Sequence, residues 1–422
     1  MKVFKAVSEL VIFFLAPILL LKYWSRMKRE GFLPFIYMLA FLMGGLLFSS
    51  YWNRTPFPFV LKFFAVLYGI FSFYVVFYVL LHDNFKGLWW FFLGAFISGI
   101  ITIWVFNPTA AVSSSGFMYI GDADAEDVIR GPLFWIGKVR GLGQLPIFAV
   151  YLKMPLLYSV VAPVLFTVFA MFTTVTGRAQ SMCVLLSSVM VFMGKKSRHS
   201  MQTLGKHIWV AVAVGMIVLL AYKMVYSYVA SNGYLGEAAM SKYERQTERG
   251  KGIIPMLMTG RSGFFIALSA IVDHPIVGFG PRAPDTQGYT AKFIEKYGTD
   301  QDILGYYIGL RKMLSCGLTR SIPTHSQIMD CWLACGLPGL IFFLWILFVI
   351  YRHVKRYSAA VPQWYGYFAL TIPTIVWSIF FNPFVVRSEL PLLMVMLIYA
   401  KAVGAGKMLL PYELEIEAQK YD

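Results

Sequence analysis

The sequence predicts an all-α polytopic membrane protein with about 11–12 transmembrane helices and one large loop on the outer side of the membrane. Of its 422 residues, 58% are hydrophobic and 14% are charged, so the chain has too little polar surface to coat a soluble globule of this size. The excess of 37 Lys and Arg over 21 Asp and Glu fits cytoplasmic loops, anionic lipids or an anionic substrate. In a membrane protein this basic balance does not indicate a nucleic-acid partner.

Apolar runs recur along the whole chain, and about 20 mostly apolar residues are needed to cross a bilayer. The candidate spans are 8–24, 32–50, 59–81, 88–106, 143–156, 157–173, 179–194, 208–230, 331–351, 365–383 and 388–402. Only Lys153 and Pro155 separate the fifth from the sixth, and since membrane helices tolerate Pro, a different division stays open. The runs predict about eight spans in 1–230, a large loop domain in 231–330, and about three spans with a tail in 331–422.

Short basic segments set the orientation of the predicted helices. Lys and Arg are enriched in 22–30, 194–207 and 351–356, and the positive-inside rule places such loops in the cytoplasm. The loop 231–330 then lies on the outer side, the tail from Lys401 lies in the cytoplasm, and the N-terminus points outward. One missed or spurious span would reverse the N-terminal end.

The loop 231–330 is far longer than a connection between packed helices needs to be, which favours a functional role. Its first part, EAAMSKYERQTERGKG, predicts a solvated charged helix. Apolar residues at 264, 265, 268, 271 and 272 then predict a second helix whose apolar face lies against the membrane domain. His274-Pro275 ends that helix, and the glycines at 278 and 280 form a turn.

Motifs for metal or nucleotide chemistry are absent from the sequence. It contains no H-E-x-x-H and no Gly-Lys-Ser/Thr loop, which argues against a zinc protease and a nucleotide-driven pump. The cysteines lack C-x-x-C spacing and fall mostly in or beside apolar helices, so we interpret them as packing residues. They are Cys183, Cys316, Cys331 and Cys335. No metal site and no cofactor are predicted.

Two arginines stand at predicted membrane boundaries on the outer side. Arg178 in TTVTGRAQS and Arg261 in MTGRSGFF each follow a Thr-Gly pair. Charged side chains at a boundary are costly unless they face water, a partner or a ligand, and a guanidinium binds phosphate oxygens through forked hydrogen bonds. The alternative is that each arginine only extends to the interface.

His325 lies in the polar stretch PTHSQIMD, directly before a long apolar run. A neutral imidazole accepts a proton near neutral pH, so His325 is a candidate general base, and the alternative is an interfacial polar residue. His274 is assigned to loop structure. The remaining histidines lie in or near segments predicted to be cytoplasmic and receive no chemical role; they are His82, His199, His207 and His353.

The stretch HSQIMDCWLACGLPG has the form H-S-x9-G-x-x-G, with His325 and Ser326 at its start and Gly336 and Gly339 at its end. It resembles the signature of bacterial O-antigen ligases, within the O-antigen ligase/polymerase superfamily. Ser326 stands where Asn is common in that family.

Two further segments resemble arginine motifs of the same family. They are TGRAQSMCVLL at Arg178 and GRSGFFIALSAIVDHPIVGFGP at Arg261. The likeness covers roughly 160–350, and the first 150 residues match only as a hydropathy pattern. Family members usually have twelve membrane helices with both chain ends in the cytoplasm, whereas the apolar runs of this sequence predict an odd number of spans.

The resemblance implies a glycosyltransferase with a GT-C-like fold in the bacterial inner membrane. It implies transfer of a polysaccharide from undecaprenyl pyrophosphate to a sugar hydroxyl of lipid A core at the periplasmic face, metal-independent and with inversion of the anomeric centre. Arg178 and Arg261 would bind the pyrophosphate, and His325 would be the catalytic base that acts on the acceptor hydroxyl. Ser326 and the two glycines would support the motif.

The motif glycines also have a purely structural interpretation. If one helix runs unbroken from Thr324, then His325, Gly336 and Gly339 share one face at about 100° per residue. That smooth face either lies beneath the histidine or is a packing groove without chemistry. Pro338 is expected to kink the helix.

Two other functions stay open from the sequence. A polymerase that joins undecaprenyl-linked repeat units would share the donor and the site residues. A lipid or sugar transporter is disfavoured, because we find no internal repeat and no charged residues deep inside paired broken helices. A ligase is preferred because the histidine motif matches that form without a gap.

Overall fold

The computed structural model describes residues 2–82, 262–297, 321–324, 326–357, 365–381 and 389–406, and single positions at 311, 408 and between 224 and 240. These residues are mostly helical, and apart from one isolated bridge between Pro284 and Ser321 they contain no strand. The longer described helices are numbered in chain order: α1 Lys2–Glu30, α2 Leu33–Trp52, α3 Phe57–Leu81, α4 Ser262–Asp273, α5 Tyr289–Tyr297, α6 Gln327–Cys335, α7 Leu337–Tyr357, α8 Tyr365–Phe381 and α9 Glu389–Gly404.

Three segments of the described helices are long and apolar enough to cross a membrane. They are Leu33–Trp52, Phe57–Leu81 and Leu337–Val354. The first two match the spans predicted at 32–50 and 59–81, and the third begins six residues after the predicted start at 331. The described part of the chain is therefore compatible with the predicted all-α membrane class.

The other predicted spans have different outcomes. Those at 8–24, 365–383 and 388–402 coincide with α1, α8 and α9. The described parts of α8 and α9 comprise 17 and 16 residues, and the segments 358–364 and 382–388 next to them lie outside the described residues. The spans predicted at 88–106, 143–156, 157–173 and 179–194 lie outside the described residues, as do most of 208–230 and of the charged helix predicted at 237–252.

Two basic segments that the sequence placed in loops are helical. α1 continues through Glu30 and α7 continues through Tyr357, so the prediction of loops at 22–30 and 351–356 is wrong. Lys and Arg are good helix formers, and their charge is favoured at the negative end of the helix dipole. His353, expected in or near a loop, is instead buried within α7.

Aromatic side chains join α3 to the connection between α1 and α2. Phe32, Tyr74 and Tyr78 are fully buried. The Tyr74 hydroxyl donates to the Phe32 carbonyl oxygen at 2.7 Å, and the Phe32 and Tyr78 rings meet edge to face with centroids 4.7 Å apart. Because the hydroxyl finds a partner, burying this ring leaves no unsatisfied polar group at that point.

α9 lies inside the bundle, and α6 lies at the meeting point of several helices. Every residue of α9 from Leu390 to Ala400 is buried, which explains why this helix is apolar on all sides. α6 packs against α2, α4, α7 and α8. The boundary predicted between the loop domain and the C-terminal helices, at 330/331, falls inside α6. Cys331 and Cys335 are free and buried there, whereas Cys183 and Cys316 lie outside the described residues.

The helix predicted after position 261 is confirmed, but its buried face differs in part from the prediction. α4 ends at Asp273, directly before His274-Pro275, and Gly278 and Gly280 adopt positive φ in the turn that follows. Of the five positions predicted to be buried, Leu268 and Val272 are exposed. The buried side is instead formed by Gly263, Ile266, Ala267, Ala270 and Ile271, since small residues let α4 approach α6 closely.

Candidate functional site

The three side chains with predicted chemical roles, Arg178, Arg261 and His325, lie outside the described residues. The structure describes what surrounds two of them in sequence. Thr324 and Ser326 flank position 325, and Ser262 begins α4 directly after position 261. The described part of the candidate site therefore consists of α6 and the helices and turn that contact it.

Ser326 fixes the start of α6 and ties it to α8. Its backbone is extended, with φ −151° and ψ 132°, and its hydroxyl accepts a hydrogen bond from the Met329 amide at 3.4 Å. The same hydroxyl donates to the Ile379 carbonyl oxygen at 3.0 Å, and the side chain is fully buried. Asn caps a helix N-terminus about as well as Ser, so the residue common in the resembled family can make the same capping bond here.

Thr324 fixes the other side of position 325. Its hydroxyl donates to the Asp330 carboxylate in the first turn of α6, and the residue is buried. The Asp330 amide in turn donates to the Ser326 carbonyl oxygen at 2.8 Å. The residues on both sides of position 325 are thus attached to the first turn of one short helix.

α6 ends at Gly336, and α7 is a separate helix. Gly336 has φ 67° and ψ −151°, a conformation that only glycine adopts readily. A Cβ atom on Gly336 would lie 2.0 Å from the Ile276 carbonyl oxygen. The interpretation of one unbroken helix from Thr324, with position 325 and both glycines on a shared face, is therefore wrong.

Gly339 allows α7 to fold back closely on the end of α6. A Cβ atom at Gly339 would lie 2.1 Å from the Cys331 carbonyl oxygen. Pro338 occupies the first turn of α7, where proline is tolerated, instead of kinking a continuous helix. It also packs against α2, since a Cβ at Gly45 would lie 2.6 Å from the Pro338 Cβ. Both motif glycines are thus required by close backbone approach.

The turn at 274–280 is bonded along α6. The Trp332 indole donates to the Pro275 carbonyl oxygen at 2.8 Å, the Leu337 amide donates to the Ile276 carbonyl oxygen at 2.9 Å, and the Phe279 amide donates to the Leu333 carbonyl oxygen at 2.7 Å. Of the three acceptors, the Leu333 carbonyl belongs to the last turn of α6, where carbonyl groups have no partner within the helix, and the other two are carbonyl groups of the turn. The long loop therefore attaches directly to the helix that follows position 325.

His274 lies in this turn, as predicted. His274 is exposed, and its ring contacts the Phe279 ring edge to face with centroids 4.6 Å apart. Tyr289 of α5 binds the residue before His274, because its hydroxyl donates to the Asp273 carboxylate at 2.5 Å. Burial and this hydrogen bond raise the pKa of Tyr289 well above its usual value, so the hydroxyl stays protonated as a donor.

A polar cluster at the ends of α1 and α3 was missed by the sequence analysis. Glu30 accepts hydrogen bonds from Arg26 at 2.9 Å and from the Tyr78 hydroxyl at 2.7 Å, and its carboxylate lies 3.1 Å from His82 Nε2. Arg26 also lies 2.9 Å from His82 Nδ1. Since a guanidinium only donates, Nδ1 accepts and Nε2 carries the hydrogen that reaches Glu30.

The hydrogen bonds of this cluster favour the ionised form of Glu30. Burial alone would raise the pKa of Glu30, but hydrogen bonds from His82, Tyr78 and Arg26 outweigh it and lower the pKa to about 2. The spacing of Arg26 and Glu30 by four residues was a sequence signal for one pair. Nothing local in the sequence indicated that His82, more than fifty residues later, completes it.

No protein-family model, curated protein or solved structure matches the chain. Among the described residues, no group of three or more His, Cys, Asp or Glu side chains is arranged to hold a metal ion, and a metal-independent reaction stays a prediction. Fold and site together define a mostly helical protein with helices able to cross a membrane.

Proposed function

We propose that the chain is an O-antigen ligase, an inner-membrane glycosyltransferase that moves a polysaccharide from undecaprenyl pyrophosphate to a sugar hydroxyl of lipid A core. In this proposal the chain has about 11–12 membrane helices in a GT-C-like arrangement. The loop 231–330 forms a periplasmic domain, and the reaction takes place at the periplasmic face. The chain needs no cofactor.

The observation that carries the proposal is the frame around position 325. In the H-S-x9-G-x-x-G motif, Ser326 caps α6, Gly336 admits the loop backbone at the end of α6, and Gly339 lets α7 pack against it. Thr324 adds a bond to Asp330. A side chain that exchanges protons must be held within hydrogen-bond reach of its substrate, and this frame supports that requirement for His325.

A second feature supports the joint action of Arg261 and His325. Arg261 directly precedes α4, Ser326 caps α6 directly after His325, and α4 packs against α6. Two of the three residues assigned to the reaction therefore precede the N-termini of helices that are in contact. Arg178 has no described neighbour of this kind, and its role rests on the sequence resemblance.

The proposed reaction is one displacement at the anomeric carbon. The acceptor hydroxyl oxygen attacks this carbon on the face opposite to the pyrophosphate, the bond from the carbon to the phosphate oxygen breaks, and undecaprenyl pyrophosphate leaves with the electron pair. His325 takes the proton of the acceptor hydroxyl and releases it to water. Arg178 and Arg261 stabilise the negative charge that grows on the departing phosphate oxygens.

Lipopolysaccharide from a strain that lacks the gene tests the proposal. If the chain is a ligase, this strain should contain lipid A core without O chains, and long undecaprenyl-linked chains should accumulate. Core capped with a single repeat unit would instead identify a polymerase, which shares the donor. Unchanged lipopolysaccharide, with transport of a lipid-linked sugar lost, would contradict both transferase functions and favour a transporter.

A further inference from the structure

We infer that the C-terminal end of α4 and the turn that follows it insert Val272 and Ile276 into the surface of the lipid bilayer, so that the long loop is anchored to the membrane as well as to α6. Both side chains are large, apolar and exposed, at 68% and 69%. Exposed apolar surface that continues over several large side chains marks a site of contact with a membrane or a partner. The inference is independent of the reaction proposed above.

The position of the turn places it at a membrane boundary. Ile276 is bonded through its carbonyl oxygen to the Leu337 amide at 2.9 Å, and Leu337 is the first residue of the span Leu337–Val354. Asn53, directly after the span Leu33–Trp52, donates to the Gly278 carbonyl oxygen at 3.1 Å. The turn therefore lies at the ends of two helices that are long enough to cross the bilayer.

The exposed apolar surface of the turn continues that of α7. Leu337, Ile341, Leu344 and Phe348 are exposed, and their spacing places them on one side of the helix. Phe342, Phe343 and Ile346, on the other sides, are fully buried. The exposed side is the one available to lipid, and Ile276 adjoins its first residue. We therefore commit to bilayer lipid as the occupant of the turn surface.

Polar residues between the two apolar side chains set the depth of insertion. Asp273 and His274 are exposed between the two apolar residues, so the turn cannot lie in the hydrocarbon centre without burying a carboxylate. The nearby Trp332 is partly exposed and donates to the Pro275 carbonyl oxygen, and tryptophan is enriched at the level of the lipid headgroups. The apolar side chains thus enter the outer part of the acyl chains while their neighbours remain among the headgroups.

Fluorescence quenching by brominated lipid tests the inference. Cysteine is introduced at Val272 or Ile276, labelled with bimane, and the full chain is reconstituted into phosphatidylcholine vesicles. Gln287→Cys, at an exposed position of the same loop, is the aqueous control. Phe348→Cys, about 16 Å beyond Leu337 along the helix, is the control for the bilayer centre. The substituted side chains are all exposed, so the packed core is kept, and the parent chain gives the background labelling.

With bromine near the headgroup end of the acyl chains, emission from labels at 272 and 276 should fall by about half, as expected for interfacial insertion. The label at 348 should respond more strongly to bromine near the chain ends, and the label at 287 should respond to neither lipid. Labels at 272 and 276 that behave like the label at 287 would overturn the inference. Quenching chiefly by bromine near the chain ends would overturn the interfacial depth.

Discussion

At the scale of single residues, His325 is the side chain on which the proposed chemistry depends. Its neighbours Thr324 and Ser326 are held by the Asp330 carboxylate and by the capping bonds of α6. Neither neighbour has a free side chain for catalysis, because both hydroxyls already donate within the protein. In the proposed function the flanking residues position His325 and His325 reacts, so a substitution at 325 should affect the reaction without removing these bonds.

His325→Ala should lower the rate of transfer by roughly 10²- to 10⁴-fold, the usual contribution of a general base. Binding of the undecaprenyl-linked donor should be largely kept, because the arginines are assigned to the pyrophosphate. Turnover is measured with purified protein, donor and acceptor in EDTA, which also tests whether the reaction needs a metal. His274→Ala is the matched control, since that ring is exposed and packs against Phe279 in the turn. Near-wild-type turnover of His325→Ala would show that the base assignment is wrong.

Arg178→Lys and Arg261→Lys should each lose most of the transfer activity in protein that is still folded and inserted. Lysine keeps the positive charge but cannot form the planar pair of hydrogen bonds to phosphate oxygens. Donor binding and turnover are measured together, and both should fall, in contrast to His325→Ala. Full activity in either lysine variant would reduce that arginine to an interfacial residue.

At the scale of the elements, the break between α6 and α7 distinguishes this region from an ordinary membrane helix. The sequence predicted the helices at 32–50, 59–81 and after 261, because apolar length and periodicity are local signals. It did not predict the break, although Gly336 followed by Pro338 is a typical end of a helix, because the apolar run continues through both residues. The requirement for glycine comes from Ile276, sixty residues away in the sequence.

The same reason explains the error in the buried face of α4. A count of large apolar residues favours Leu268 and Val272, whereas the face that meets α6 contains Gly263 and Ala267. Close packing of helices selects small residues, and only the partner helix reveals that selection. The capping role of Ser326 could have been predicted from the sequence, because Ser directly before a short amphipathic run is typical of a helix N-terminus.

Gly336→Ala should destabilise the protein by several kcal/mol, because it combines the strain of positive φ with a clash against the Ile276 carbonyl. Gly406→Ala isolates the first cost, since Gly406 has φ 66° and no atom within 4 Å of the added Cβ. That control should lose only about 1 kcal/mol. Thermal unfolding in detergent measures both variants, and equal losses would mean that the contact between the turn and α6 is not tight.

Glu30→Gln should remove an acid-dependent part of the stability. The pKa of Glu30 is lowered from 4.5 to about 2 in the folded chain, so its stabilisation is fully present above 4.5 and is lost as the pH falls towards 2. The parent should therefore lose stability more steeply than Glu30→Gln across this window. The difference between the two unfolding midpoints is followed from pH 6 to about 2.5. A difference that does not change with pH would contradict the role given to this carboxylate.

At the scale of the whole molecule, α2 separates the basic end from the loop turn. Lys28 and Arg29 lie in the last turn of α1, directly before α2 begins at Leu33, and the turn at Gly278 is bonded to Asn53 at the other end of α2. The 20 residues of α2 extend about 30 Å, the thickness of the hydrocarbon core. If α2 crosses the bilayer, the basic end and the loop turn lie on opposite sides.

This arrangement leads to a prediction about sidedness. Basic residues are retained on the cytoplasmic side, so the loop 231–330 should face the periplasm, where the lipid-linked donor and the core acceptor meet in the proposed reaction. Cysteine introduced at Asn232, which is exposed, should react with a membrane-impermeant maleimide in intact spheroplasts. Cysteine introduced at Ser197, in the basic segment 194–207, should react only after the membrane is permeabilised. The parent chain supplies the background, with Cys331 and Cys335 buried. Labelling at 197 with protection at 232 would invert the orientation and remove the proposed site from its substrates, even if every contact around α6 is as described.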